Sequence, residues 1–298
     1  MDHDHAHSRD FGRAFAVGIA LNLAYVALEA GFGVFTGSLA LLADAGHNLS
    51  DVLGLAIAWG ADRLARRPPT PRRTYGFKRV PILASLANAV LLLVAVGAIV
   101  LEAVRRLAAP EPVATGLVIW VAAAGVAVNT ATALLFLSGR KGDLNIRGAF
   151  LHMAADAGVT VGVIVAALGI AWTGWLWLDP AVGLLIAAAI LAGTWGLLRE
   201  SVALAADAVP PGVDVAAVRA FLEGQAGVRR VHDLHVWALG TTEVALTAHL
   251  EMPGGHPGDR FLDALQTGLA ARFGIGHATF QVEIAADCTC RLAPDHLV

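Results

Sequence analysis

Charge is scarce in this chain. Only 15% of its 298 residues are charged, against roughly 25% in an average soluble protein. Apolar residues make up 57%, and mean hydropathy is +0.65. These values exclude a disordered chain and argue against a single soluble domain. Cysteine is scarcer still. Cys288 and Cys290 are the only two, one residue apart, so there is no disulfide framework. The N-terminus MDHDHAHSRD has no basic stretch ahead of an apolar core, and no cleavable export signal is expected. A net charge of -3 with a pI near 6.4 lacks the basic excess of a nucleic-acid binder, so no such partner is expected.

What the chain has instead is a series of apolar runs, at about 13–35, 38–61, 80–104, 114–137, 148–171 and 180–198. Each is near the roughly 20 residues that cross a bilayer as a helix. Beyond about 205, charges, Pro210-Pro211 and short alternating segments return. The expected architecture is a polar His-containing tail over 1–12, a six-helix transmembrane domain over 13–204 and a soluble domain over 205–298. Thirteen Lys and Arg flank one side: Arg9, Arg13, Arg63, Arg66, Arg67, Arg72, Arg73, Lys78, Arg79, Arg140, Lys141, Arg147 and Arg199. The other side has Arg105 and Arg106 alone. The positive-inside rule then puts both termini and the soluble domain in the cytoplasm, with the cysteines reduced.

Two apolar runs carry the same polar pair. His47 and Asp51 are four residues apart in the second run, and so are His152 and Asp156 in the fifth. An i, i+4 pair shares one helix face. Two such faces packed together offer two imidazoles and two carboxylates, a tetrahedral set suited to Zn²⁺ and also to Co²⁺ or Cd²⁺. An ionisable side chain near the bilayer centre costs at least about 2.5–3.5 kcal/mol, so four of them call for a function. Asp44, one turn before His47, is read as a ligand, a group orienting a ligand, or part of the ion path, the second being favoured. Glu29 is a candidate for the ion path. Asn48 is a further candidate for orienting a ligand or lining the ion path, although helix–helix hydrogen bonding suits it too, as it suits Asn22, Ser50, Asn88 and Asn129. Gly158 and Gly162 form a G-x-x-x-G that would allow close helix approach. Four protein ligands leave no open position for water, and no H-E-x-x-H occurs, which argues against an intramembrane metalloenzyme.

The stretch GSLALLADAGHNLSD, with HMAAD in the fifth run, resembles the cation diffusion facilitator family, in particular its zinc-type members. The resemblance covers almost the whole chain. It implies efflux of a divalent metal, zinc and possibly cadmium or cobalt, from the cytoplasm in exchange for protons. It also implies a homodimer and a transport site of His47, Asp51, His152 and Asp156, while the short loop SGRKGDLN before the fifth run and the Ala- and Arg-rich composition favour a bacterial inner-membrane protein. The expected protein is a transporter rather than an enzyme, with no cofactor beyond zinc as cargo and as a ligand of the soluble domain. Three departures stand out. Residues 63–78 contain no His, Asp or Glu, so the additional loop site of some relatives is not expected; Val80-Pro81 stands where relatives often have Glu; and the loop before the fifth run is short.

The soluble domain reads as helix, strand, strand, helix, strand. This αββαβ order suits a small α+β sandwich, and the family's domain is a dimerising, ferredoxin-like metallochaperone fold. By resemblance, His232, His249 and Glu283 bind metal there. Strand alternation would turn His232 and His235 to opposite faces. His235, His256 and His277 are weaker candidates. So are Cys288 and Cys290, which could add thiolates. His3, His5 and His7 are equally consistent with a metal-collecting tail and with an end of no consequence. The rival readings are a membrane-bound metal sensor or store, which would not need ligands inside the bilayer, and an enzyme, which would need an open metal site.

Overall fold

The structure, a computed structural model, describes residues 12–137, 144–284 and 290. Six long helices come first: α1 (Gly12–Thr36), α2 (Leu39–Ala65), α3 (Val80–Ala108), α4 (Thr115–Phe136), α5 (Leu144–Thr173) and α6 (Leu178–Ala205). Helices α3 and α6, with Thr115–Leu134 of α4 and Met153–Thr173 of α5, are long and apolar enough to cross a membrane. In α1 the apolar stretch among the described residues is the shorter Ala20–Thr36. Leu83, Leu91, Val94 and Leu101 of α3 are each more than half exposed, as befits a surface solvated by lipid. Trp120, Trp172, Trp175, Trp177 and Trp195 are exposed as well, and Trp is enriched at membrane–water interfaces.

By internal contacts the chain forms two compact units, residues up to 56 with 88–196, and residues 57–87 with 197–298. In the first, α4 packs on α5 and on α1. Its core joins Leu41 and Ala43 of α2, Val96 of α3, Val118 and Val121 of α4, Val163 of α5 and Ile186 of α6. Small residues set the close approaches. A Cβ at Gly33 would lie 2.9 Å from Leu42, and one at Gly169 would lie 2.9 Å from Leu178. Gly158 and Gly162, by contrast, have no atom of a described residue within 4 Å of such a Cβ. Among the described residues no side chain packs closely on that G-x-x-x-G, and the close approaches fall at Gly33 and Gly169 instead.

The start of α2 is held from across the bundle. Ser38 is its N-cap, and Ser38 Oγ accepts from Leu41 N at 3.2 Å. Asp179, in the first turn of α6, accepts from Ser38 Oγ (2.5 Å), Leu39 N (2.7 Å) and Ala40 N (3.3 Å). Two carboxylate oxygens and one hydroxyl thus satisfy the first N–H groups of a buried helix end, where the helix dipole favours negative charge.

The second unit contains α7 (Val215–Glu223), β1 (Arg230–Ala238), β2 (Val244–Glu251), α8 (Asp259–Phe273) and β3 (Ile275–Glu283). Asp214 caps α7, accepting from Ala216 N and Ala217 N. Gly274, at φ +68°, ends α8 in the left-handed conformation that glycine adopts without strain. The sheet order is β1-β2-β3, with β1 antiparallel and β3 parallel to β2. Leu246, Ala248 and Leu250 of β2 form a core with Val218 and Leu222 of α7 and Leu265 and Leu269 of α8. The alternate residues of β2 take the opposite face, away from that core.

Candidate metal centres

In the first unit, α2 and α5 bring His47 and Asp156 together, with His47 Nε2 3.5 Å from Asp156 Oδ1. His47 is partly buried and Asp156 is 2% exposed. A second polar contact lies one helical turn further along both helices. Thr160 Oγ1 is 2.8 Å from Asp44 Oδ2 and 2.9 Å from the carbonyl oxygen of Asp156. Asp44 and Thr160 are fully buried. The remaining two candidates, Asp51 and His152, belong to α2 and α5, but their side chains lie outside the described residues.

Glu29 is also fully buried. Tyr25 Oη donates to its Oε1 at 2.6 Å, and Asn48 Nδ2 donates to its Oε2 at 3.5 Å. Glu29 and Asn48 therefore link α1 to the helix that carries His47. The tyrosine itself fits because Gly125 of α4 leaves room for its phenol. Tyr25 and Thr160 were not among the candidates from sequence. Both stand four residues from one, Tyr25 before Glu29 and Thr160 after Asp156, so the i, i+4 spacing that exposed the His–Asp pairs also reaches them.

In the second unit, strand register gathers another group on the sheet face away from the helices. His232 pairs with His249 across β1 and β2, and His249 pairs with Gln281 and Glu251 with Glu283 across β2 and β3. His232 Nε2 is 3.0 Å from Glu283 Oε2, and His249 Nδ1 is 3.1 Å from Glu283 Oε1. Cys290 adds its sulfur 3.6 Å from His249 Nδ1. One ligand atom from each of these four residues lies within 4.8 Å of the others. Bonds of about 2.0–2.3 Å to a tetrahedral zinc give ligand–ligand edges of roughly 3.3–3.8 Å, so the set needs only slight contraction around an ion. Burial acts to raise the Glu283 carboxyl, but hydrogen bonds from His232, Cys290 and Gln281 outweigh it and hold the group below its ordinary range. An ionised carboxylate is the form that binds metal.

His235 departs from the expected alternation. His232 faces His249 while His235 faces Thr247, so three steps on β1 match two on β2. This bulge inserts one extra residue and turns both histidines to the same face. It centres on Asp233, whose φ of +48° is left-handed, a conformation that Asp tolerates better than most side chains. Asp233 then bonds both neighbours, with Oδ1 2.9 Å from His235 Nε2 and Oδ2 3.2 Å from His249 Nε2. It orients the imidazole of His249 as a carboxylate does in many metal sites. The other weak candidates go elsewhere. His256 Nδ1 accepts from Gly258 N, and His277 makes an edge contact with Tyr75. Cys288 and the His3, His5 and His7 tract lie outside the described residues.

Sequence comparison bears on both units. Residues 15–204 match the cation efflux transmembrane domain, and residues 210–285 match the cytoplasmic domain of cation efflux proteins. The chain is 38% identical over 285 residues to the cation efflux system protein CzcD of Alcaligenes sp. (strain CT14), covering 95% of this chain and 90% of that protein. It is 37% identical over 291 residues to the zinc transporter ZitB of Escherichia coli (strain K12), covering 95% and 93%. It is 33% identical over 291 residues to the cadmium, cobalt and zinc/H(+)-K(+) antiporter of Bacillus subtilis (strain 168), covering 96% and 93%. With apolar helices long enough to span a bilayer and both domains matched along nearly the whole chain, this multi-pass membrane protein belongs to the cation efflux family.

Proposed function

We infer that this chain exports Zn²⁺ from the cytoplasm in exchange for protons, and that His47, Asp51, His152 and Asp156 bind the ion between α2 and α5. The observation that carries this reading is the approach of His47 to Asp156 across those two helices. The names of the relatives add zinc, cadmium and cobalt as cargo and protons as a counter-ion. On this reading all six long helices span the inner membrane of a bacterium, residues 13–204 form the transport domain and both termini are cytoplasmic. Residues 205–298 form a ferredoxin-like domain through which two copies associate.

The ligands themselves supply the coupling. Imidazole and carboxylate bind metal only when deprotonated, so protons and Zn²⁺ compete for the same atoms. Histidine titrates near neutral pH, which makes the exchange responsive to a physiological gradient. Facing the cytoplasm the site loses protons and takes Zn²⁺; facing outward it releases the ion and regains protons. Helix rocking around a midplane site exchanges the two states. Thr160 and Asp44 brace α5 against α2 beside the ligands. Four protein ligands close the coordination sphere, which suits carriage rather than catalysis.

In the cytoplasmic domain, His232, His249, Glu283 and Cys290 would hold a resident zinc, with Asp233 orienting His249. A thiolate and two imidazoles are a donor set that zinc favours.

The test is Zn²⁺ flux into liposomes loaded with an indicator, with and without a pH gradient, for wild type and Asp51→Ala. Flux that follows the gradient and vanishes in the variant supports the antiporter. No flux of Zn²⁺, Cd²⁺ or Co²⁺ from folded, inserted protein would favour a membrane-bound metal sensor.

A further inference from the structure

The segment between α2 and α3, residues 66–79, contains six cations, with Arg63 a seventh in the last turn of α2, and no acidic residue. Beyond its part in setting the orientation of the helices, metal export gives this surplus no task. Part of it lines a cleft of about 420 Å³ in the second unit, between the ends of α2 and α3 and the β1–β2 hairpin. Arg66, Arg67 and Lys78 face two carboxylates there, Asp62 and Glu243.

Both carboxylates are matched. Asp62 pairs with Arg66 at 2.9 Å, and Glu243 pairs with Lys78. Arg67 is exposed and makes no ion pair with any described residue. Hydroxyl groups of Thr241 and Thr242 add donors from the hairpin. The cleft therefore carries one uncompensated guanidinium beside two further cations and neutral donors. A guanidinium with hydroxyl donors is the chemistry that receives a phosphate oxyanion.

The placement and shape narrow the ligand. Pro81 lies in the first turn of α3, and α3 is one of the helices long and apolar enough to cross a bilayer. The cleft thus opens where a spanning helix ends, which is the level of lipid headgroups. Ala65, Pro68, Pro69 and Pro81 provide apolar wall. A bare phosphate has no use for that wall, whereas the glycerol and first methylenes of a phospholipid do. The hairpin also fits tightly, since a Cβ on Gly240 would lie 2.7 Å from the Lys78 carbonyl oxygen. This close approach holds the hairpin donors beside the basic segment.

We propose that this cleft is a binding site for the phosphate of an anionic phospholipid, held by Arg67 with Arg66, Lys78 and the hairpin hydroxyls. The ligand would tie the basic segment and the hairpin to the membrane surface. The inference needs only that α3 spans a bilayer, and it stands apart from the metal that the chain carries.

The test uses full-length protein in detergent, titrated with phosphatidylglycerol or with phosphatidylcholine of the same acyl chains, with bound lipid counted by native mass spectrometry. Wild type should retain phosphatidylglycerol at concentrations at least tenfold below those needed for phosphatidylcholine. A basic residue near an anionic surface contributes about 1 kcal/mol, or roughly fivefold. Arg67→Gln should therefore weaken retention about fivefold and the Arg66→Gln/Arg67→Gln double variant about 25-fold, with unchanged melting. Arg72→Gln removes the same charge from an exposed position outside the cleft and should change it less than twofold. Equal losses from Arg72→Gln and Arg67→Gln would overturn the site in favour of a diffuse basic surface. Full displacement of the lipid by equimolar inorganic phosphate would overturn the lipid assignment in favour of a free-phosphate site.

Discussion

Removing the Asp179 carboxylate should loosen the helix that carries His47 without touching any metal ligand. Asp179 is 2% exposed and accepts three hydrogen bonds, from Ser38 Oγ, Leu39 N and Ala40 N. Asp179→Ala leaves those donors buried without an acceptor, and each such orphan costs about 1–3 kcal/mol. Ser38 Oγ still serves Leu41 N, and its own hydroxyl can turn elsewhere, so two backbone donors carry most of the loss. The expected destabilisation is about 3 kcal/mol, which for a chain of this size lowers the melting temperature by roughly 6–12 °C. Asp179→Asn keeps one oxygen but loses the charge that complements the helix dipole, worth about 0.3–2 kcal/mol, and should fall in between. Both variants are assayed by thermal melts in detergent, followed by Zn²⁺ binding to the surviving fold. An Asp179→Ala melt within 2 °C of wild type, on the order of half a kcal/mol, would refute the reasoning.

Other expectations follow the same arguments. Gly125→Ala places a Cβ into the Tyr25 phenol, and such overpacking should cost about 1–3 kcal/mol in thermal melts. At Asp233, Asp233→Val meets the steric cost of left-handed backbone, about 1–2 kcal/mol, whereas Asp233→Gly avoids it; melts of the two variants should separate by that amount. Asp233→Gly also removes the carboxylate beside His249, and zinc affinity of the cytoplasmic site should fall 10–100-fold by competition with a chelating dye. In vesicles, His47→Ala should abolish gradient-driven Zn²⁺ flux while leaving zinc at the cytoplasmic cluster, which separates the two centres.

The long helices were legible because an apolar run records its own length. Their ends were less so. The run expected to stop at 198 continues as helix to Ala205, through Arg199 and Glu200, and α2 passes through Asp62 and Arg63 to Ala65. Hydropathy reports where lipid ends, whereas backbone hydrogen bonding continues past it. The order of elements in the second unit was legible from alternation, whereas the grouping of His232, His249 and Glu283 came from the family resemblance, because the three stand on three different strands and alternation within one strand says nothing of its neighbours. The bulge at Asp233 was not, because one left-handed residue leaves no trace in an alternating pattern. Cys290 gave only a weak signal, since its role depends on where the chain after β3 returns. The trans-cap from Asp179 joins residues 141 apart in sequence, and only folding brings them together.

The clamped start of α2 sets the scale of any motion at His47. His47 is eight residues beyond Leu39, about 12 Å at 1.5 Å per residue. Ala56 is 17 residues beyond it, or about 26 Å. With its first turn fixed, α2 would tilt as a lever whose fulcrum is Asp179. A given tilt would then displace His47 less than half as far as Ala56, so that any sweep of the far end would become a finer adjustment at the imidazole.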